Sequence, residues 1–332
     1  MRKRGYALGA ALGIILTVGA VFLVVSQTDQ MPRVAKVWPL ALGVGASLLA
    51  WMLIGLISAL LAFPNLKSLR VRDMVYIYLA GAFVGGLSPV RGLEIPYEIY
   101  LLKKIGLSAG EGSTVIITRG LLNIAVIILA TAGVLIFSPK LPSIGSWKLL
   151  AAGLGIAIAW ALITALIRRR RRRASGTHEH RGSHRGWQEK IREMVVTFFA
   201  DMRQSFVMLW RAENRTVLVF SGLLMLLYWG VRLSFGPLAL MAGGYSGNWL
   251  PIVVAQLLLI SFVLPVAPTP GGSGAAELGF AALVSSHVSG NFLSSGVIIY
   301  AGLTHYLPVI VGAFFVGMYL WREAAEHRRH NE

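Results

Sequence analysis

The chain has 332 residues, 56% of them hydrophobic and only 14% charged, where an ordinary soluble domain carries about 25% charge. The apolar residues fall in many runs of about twenty, which excludes a single soluble core and marks an all-α polytopic membrane protein. With no cysteine there is no disulfide framework, thiolate nucleophile or cysteine metal site, and the net charge of +17 points to loops beside anionic lipid rather than to nucleic acid.

Met1-Arg-Lys-Arg, followed by an apolar run from Tyr6 to Val25, has the outline of a signal peptide. No Ala-x-Ala-type cleavage site follows, so the run is expected to stay as a first helix. Six segments, 6–25, 37–61, 113–137, 147–167, 216–240 and 292–320, are each long enough to cross about 30 Å of hydrocarbon. Positive charge orients them. Arg2 to Arg4, then Lys67, Arg70 and Arg72, then Arg168 to Arg173, and finally Arg322, Arg328 and Arg329 mark the cytoplasmic side. The loops at 27–36, 138–146 and 241–248 are poor in Lys and Arg, as outside loops should be.

Two apolar stretches do not fit as full crossings. Residues 74–88 make a helix of only about 22 Å, ending in Gly85-Gly86-Leu87-Ser88-Pro89, and a second short helix at 93–104 returns to Lys103-Lys104. Residues 250–266 likewise run into a Pro- and Gly-rich tip, and a short helix follows at 275–286. Either Pro and Gly kink two ordinary helices of an eight-crossing protein, or each stretch is a re-entrant hairpin, about 74–104 and about 250–286; with the hairpins every charged loop lands on its expected side. The first then dips in from the cytoplasm and the second from outside. The order helix, helix, hairpin, helix occurs twice with an odd number of crossings per half, which gives two opposed hairpins in an inverted repeat. The chain divides into membrane half 1 (1–137), a helix opening half 2 (138–167), a basic cytoplasmic loop (168–215), the rest of half 2 (216–321) and a cytoplasmic tail (322–332).

The middle loop holds 13 of the 31 basic residues, which places it on the cytoplasmic side. After the polar stretch Arg168 to Gly186, residues Trp187, Ile191, Met194, Val195, Phe198, Met202, Phe206 and Leu209 fall on one helical face. Charged residues fill the other, the pattern of a helix lying in the headgroup plane.

Charge inside hydrocarbon is costly and is usually paired or turned to a cavity. Arg91, Glu94 and Glu98 lie at or just after the first tip, Glu277 follows the second, and Arg119, Arg232 and His305 lie within spanning segments. Two readings stay open for these charges. Arg119 neutralises Glu94 or Glu98, and Arg232 neutralises Glu277, as static ion pairs; or the groups line a path in which arginine meets phosphate and acid meets a cationic or hydroxylated part. His305 reads as an interior histidine beside Tyr306 and Pro308, and Tyr228 and Trp229 as packing or interfacial anchors. The run Pro268-Thr-Pro-Gly-Gly-Ser-Gly-Ala-Ala-Glu277 is the most specific feature. Pro270, Gly271, Gly272 and Gly274 let backbone amides approach a ligand, and the following helix offers its N-terminal amides to an anion such as a lipid phosphate.

This run resembles the Pro-x-Pro-Gly-Gly-x-Gly-x-x-Glu signature of the lysylphosphatidylglycerol synthase transmembrane-region family, the flippase-like integral membrane proteins. The stretches Ser88-Pro-Val-Arg-Gly-Leu-Glu94, Tyr100-Leu-Leu-Lys-Lys104 and Arg119-Gly-Leu-Leu122 are similar to the family's first half, and Tyr306-Leu-Pro308 with Gly312 to its last helix. Many members carry acids where this chain has Thr118 and Asn123. The resemblance implies a membrane domain that translocates aminoacylated phospholipid or serves polyprenyl-linked sugar pathways. The chain has no room for the soluble transferase domain of full-length synthases, so no synthase activity is expected.

The expected function is a flippase of the cytoplasmic membrane, both termini cytoplasmic, moving a phospholipid or polyprenyl-linked headgroup between the two hairpins. Its substrate-binding residues are Arg91, Glu94, Glu98, Arg119, Arg232, Pro270, Gly271, Gly272, Gly274 and Glu277. No enzyme activity, cofactor or metal is expected. The alternative is a non-transporting partner that presents anionic lipid or a lipid-linked substrate to a glycosyltransferase or aminoacyltransferase.

Overall fold

The computed structural model describes residues 33–64, 70–88, 93–137, 197, 200–211, 214–264 and 274–318. The expected crossings 6–25 and 147–167, the stretch 168–186 and the tail 322–332 lie outside these residues. Among the described residues every regular element is a helix. In chain order they are α1 (Val37–Ala62), α2 (Val71–Leu87), α3 (Glu94–Lys104), α4 (Ala109–Phe137) and α5 (200–209). Then follow α6 (Arg215–Leu233), α7 (Phe235–Ala242), α8 (Leu250–Leu258), α9 (Ala275–Val284), α10 (Gly290–Ala301) and α11 (307–318). A π-helical turn, Leu259–Val263, prolongs α8, and a second, Gly302–Tyr306, joins α10 to α11.

Four stretches are long and apolar enough to cross a membrane: Val37–Ala62, Ala109–Val134, Arg215–Ala242 and Phe292–Met318. They coincide with four of the six expected crossings. The third differs from expectation in being broken. Pro237 cannot donate to the carbonyl four residues before it, and the helix is interrupted at Ser234 between α6 and α7.

The central element is α1, which packs on α2, α4, α6 and α7. Its 26 residues reach about 39 Å. Ala50, Ile54, Ile57 and Leu61, spaced by four, three and four, are buried against these neighbours, while Leu48, Leu49 and Met52 are exposed. Apolar side chains on the outer face suit lipid as well as they would a core.

Among the described residues one order occurs twice: long helix, short helical hairpin, long helix. In the first hairpin α2 and α3 pack antiparallel. A Cβ on Gly81 would meet Glu98 and one on Gly85 would meet Glu94, so a step of four along one helix matches a step of four back along the other. At about 25 and 16 Å, both arms are shorter than the hydrocarbon core. The second hairpin, α8 with its π turn against α9, closes around Gly279, which lies against Leu259 and Val263.

The two hairpins open at opposite ends of the bundle. Ala35 and Lys36, just before α1, donate backbone N–H groups to the Ala242 carbonyl at 2.8 and 3.1 Å. The start of α1 and the end of α7 therefore share one end, and α8 begins there eight residues later. The first hairpin begins beyond Ala62, at the other end. Of the expected amphipathic helix, 187–210, only 197 and 200–210 are described. Leu209 is buried, and the Thr114 hydroxyl of α4 donates to the Met202 carbonyl at 3.1 Å.

Candidate functional site

Between residues of both hairpins and the long helices, a cavity of about 520 Å³ opens. Gly85, Gly86 and Glu94 bound it from the first hairpin, Ile260 and Leu264 from the second, and Arg119, Arg232 and His305 from the long helices. Glu98 lines it as well. Of the residues singled out in the sequence, Glu94, Glu98, Arg119 and Arg232 thus come together. Arg91, Pro270, Gly271 and Gly272 lie outside the described residues.

The two arginines differ in how they are held. Arg119, in the first half of α4, donates from Nη2 to Glu98 Oε2 at 2.6 Å and from Nη1 to the Ser58 hydroxyl at 3.2 Å. Ser58 passes its own hydrogen to the Ile54 carbonyl at 2.8 Å, so the chain of donors is complete. Glu98 is 3% exposed. A buried carboxylate needs such a partner, and of the two acids that the sequence offered Arg119, this is the one it takes. Glu98 reaches it because it sits one helical turn beyond Glu94, opposite the missing side chain of Gly81.

Arg232, in the last turn of α6, is surrounded instead by phenols, those of Tyr228, Tyr78 and Tyr300. Among the described residues no carboxylate lies within ion-pair distance of its guanidinium. It rests beside the Tyr228 ring, guanidinium carbon 6.0 Å from the ring centre, a cation–π arrangement that offsets only part of the cost of removing a cation from water.

Glu277 is not its partner. Its Oε2 accepts the backbone N–H of Gly274 at 2.7 Å and its Oε1 accepts the Tyr306 hydroxyl at 3.1 Å. It is 1% exposed and absent from the cavity wall. This is one half of a capping box, in which the third helical residue reaches back to the residue that starts the helix. Gly274 supplies the turn at φ +77°, a conformation that a side chain would strain. Glu277 is therefore bound into the start of α9 rather than paired with Arg232.

Several wall residues lacked any charge signal. Trp229 Nε1 donates to Asn123 Oδ1 at 2.9 Å, tying α6 to α4, and both line the cavity. Tyr228 and Trp229 are 6% and 4% exposed, so they are interior wall rather than interfacial anchors. Tyr78 lines the cavity too, with the Arg119 guanidinium 6.0 Å from its ring centre. His305 stands edge-on to Tyr306, ring centres 5.1 Å apart, on the π turn, whose extra residue turns Thr304 and His305 to the cavity. Such turns are frequent at functional sites.

Residues 10–312 match the family described as Lysylphosphatidylglycerol synthase TM region. Comparison with curated proteins and with solved structures finds no match to the chain. The chain belongs to the lysylphosphatidylglycerol synthase TM region family and is a multi-pass membrane protein.

Proposed function

We propose that the protein is a lipid flippase, moving a phospholipid or polyprenyl-linked headgroup across the cytoplasmic membrane through the cavity between two re-entrant hairpins. The observation that carries it is the cavity of about 520 Å³, bounded by both hairpins and holding in Arg232 a cation with no described carboxylate beside it. The size lies in the ordinary range for small-ligand sites, about 300–1,000 Å³. A buried cation with phenols but no described acid beside it stays expensive unless a ligand completes it, and a phosphate oxygen is the natural partner of a guanidinium. Acyl chains stay in lipid while the headgroup passes.

The two halves act as an inverted repeat, each hairpin gating the cavity from its own side. Both termini lie in the cytoplasm, and the transported lipid undergoes no covalent change. Glu94, on the wall beside the first tip, faces the part of the headgroup remote from phosphate. The amides that follow Pro270, at Gly271 and Gly272, add an anion contact from the second tip. Glu98 and Arg119 act as a fixed pair that shapes the floor.

Native mass spectrometry of the purified protein tests this. Wild type is expected to carry co-purified anionic lipid, and Arg232→Gln to lose it while Glu277→Gln keeps it. Equal lipid occupancy in all three would remove Arg232 from the site. The protein would then be better read as a non-transporting partner that presents lipid to a glycosyltransferase or aminoacyltransferase.

A further inference from the structure

In an unbroken helix the Gly236 N–H would donate to the Arg232 carbonyl, four residues before it. Here it does not. Gly236 N–H donates instead to Gln256 Oε1 at 3.0 Å, and Gln256 Nε2 donates to the Arg232 carbonyl at 2.9 Å. The amide of one side chain in the second hairpin is thus inserted into the hydrogen-bond ladder of the α6–α7 helix, replacing one rung by two bonds. An N–H can only donate and a carbonyl can only accept, so the pairing also fixes which way the amide points. Gln256 is fully buried, and its oxygen occupies the space where Gly236 lacks a side chain: a Cβ there would stand 2.6 Å from Oε1.

Insertion of a side chain into the ladder is a known cause of helix kinks. Pro237 alone frees the Leu233 carbonyl and leaves the Gly236 N–H intact. The opened rung therefore belongs to Gln256. The residue on its carbonyl side is Arg232, the cation of the cavity wall without a described carboxylate.

We propose that Gln256 is a positioning residue for Arg232: by holding the α6–α7 ladder open, it sets where the guanidinium stands in the cavity and couples that placement to the second hairpin. When the hairpin withdraws, the Gly236 N–H closes onto the Arg232 carbonyl, the helix straightens, and the guanidinium moves with it. The inference rests on the transport reading only in giving Arg232 its task; the latch can be tested with no lipid cargo.

The test is a distance measurement across the break. The chain lacks cysteine, so spin labels on cysteines at Val219 and Ser246, both exposed, report the α6–α7 angle in the full-length protein in phosphatidylcholine nanodiscs. Gln256→Leu, which loses both bonds, is expected to lengthen the mean separation by several ångströms. Gln256→Glu keeps the acceptor for Gly236 but places an oxygen against the Arg232 carbonyl, and should fall between Leu and wild type. Gly236→Ala, which expels the amide from the other side, should match Gln256→Leu and serves if that variant does not fold. Distance distributions of Gln256→Leu or Gly236→Ala that superimpose on wild type would overturn the latch, whatever lipid the protein moves.

Discussion

The two hairpins carry buried carboxylates at comparable places, early in the returning arm, and use them differently. In the first, Glu98 crosses to another helix and binds Arg119 at 2.6 Å. In the second, Glu277 turns back on its own helix start and takes the Gly274 N–H. The first hairpin thereby commits its charge to a scaffold arginine, whereas the second uses its charge on its own helix start and the Tyr306 hydroxyl, and no described acid stands beside Arg232. A common order of elements fixed where the hairpins lie without fixing what their acids do.

The largest effect expected from this comparison concerns direction. Cysteines at Ser246 and Ser289, flanking the second hairpin, should both react with an impermeant reagent from outside, and a cysteine at Lys104, at the foot of the first, only after permeabilisation. All three positions are exposed. Reaction at only one of the first two would mean a full crossing and no opposed hairpins.

Stability sharpens it next. Arg119→Ala strands the buried Glu98 carboxylate, a change that costs about 3–5 kcal/mol, and should be read as a large fall in melting temperature. Glu98→Gln combined with Arg119→Gln should recover most of that loss; no recovery would mean that the pair is not the source. Glu277→Ala removes a helix cap and one hydroxyl partner, a loss of about 1–2 kcal/mol. Glu277→Gln retains an acceptor oxygen and should cost less than Glu277→Ala. A fall as large as that of Arg119→Ala would mean that Glu277 holds a charge across the fold.

Much of this was legible in the sequence for physical reasons. A run too short to cross and ending in Gly-Gly-Leu-Ser-Pro signals its own turn, and the returning helix Glu94–Lys104 packs back on it. Charges in apolar segments are few, so Arg119 and Arg232 stood out, and four of the six long apolar runs coincide with described helices. The partner choice was not legible. Glu94 and Glu98 share a face and each sits opposite a glycine of the facing helix, so only the three-dimensional placement of Arg119 decides between them. The second pairing went astray because Glu277 follows a glycine by three residues, a capping position that competes with any distant cation. Gln256 left no mark at all: a lone uncharged amide in an apolar run carries no periodicity, and its two partners are backbone groups exposed by a break twenty residues earlier. The π turns are equally silent, since they arise from packing rather than composition.

Arg232 tests the central claim most directly. Fluorescent phosphatidylglycerol is followed across vesicles of phosphatidylcholine and phosphatidylglycerol at about three to one, a mix chosen to hold an anionic headgroup at working excess. A charge-assisted hydrogen bond contributes about 1.5–3 kcal/mol, so Arg232→Gln should slow translocation about ten- to hundredfold with an unchanged or higher melting temperature, while Glu277→Gln stays near wild type. Wild-type rates for Arg232→Gln, or equal losses in both variants, would contradict it.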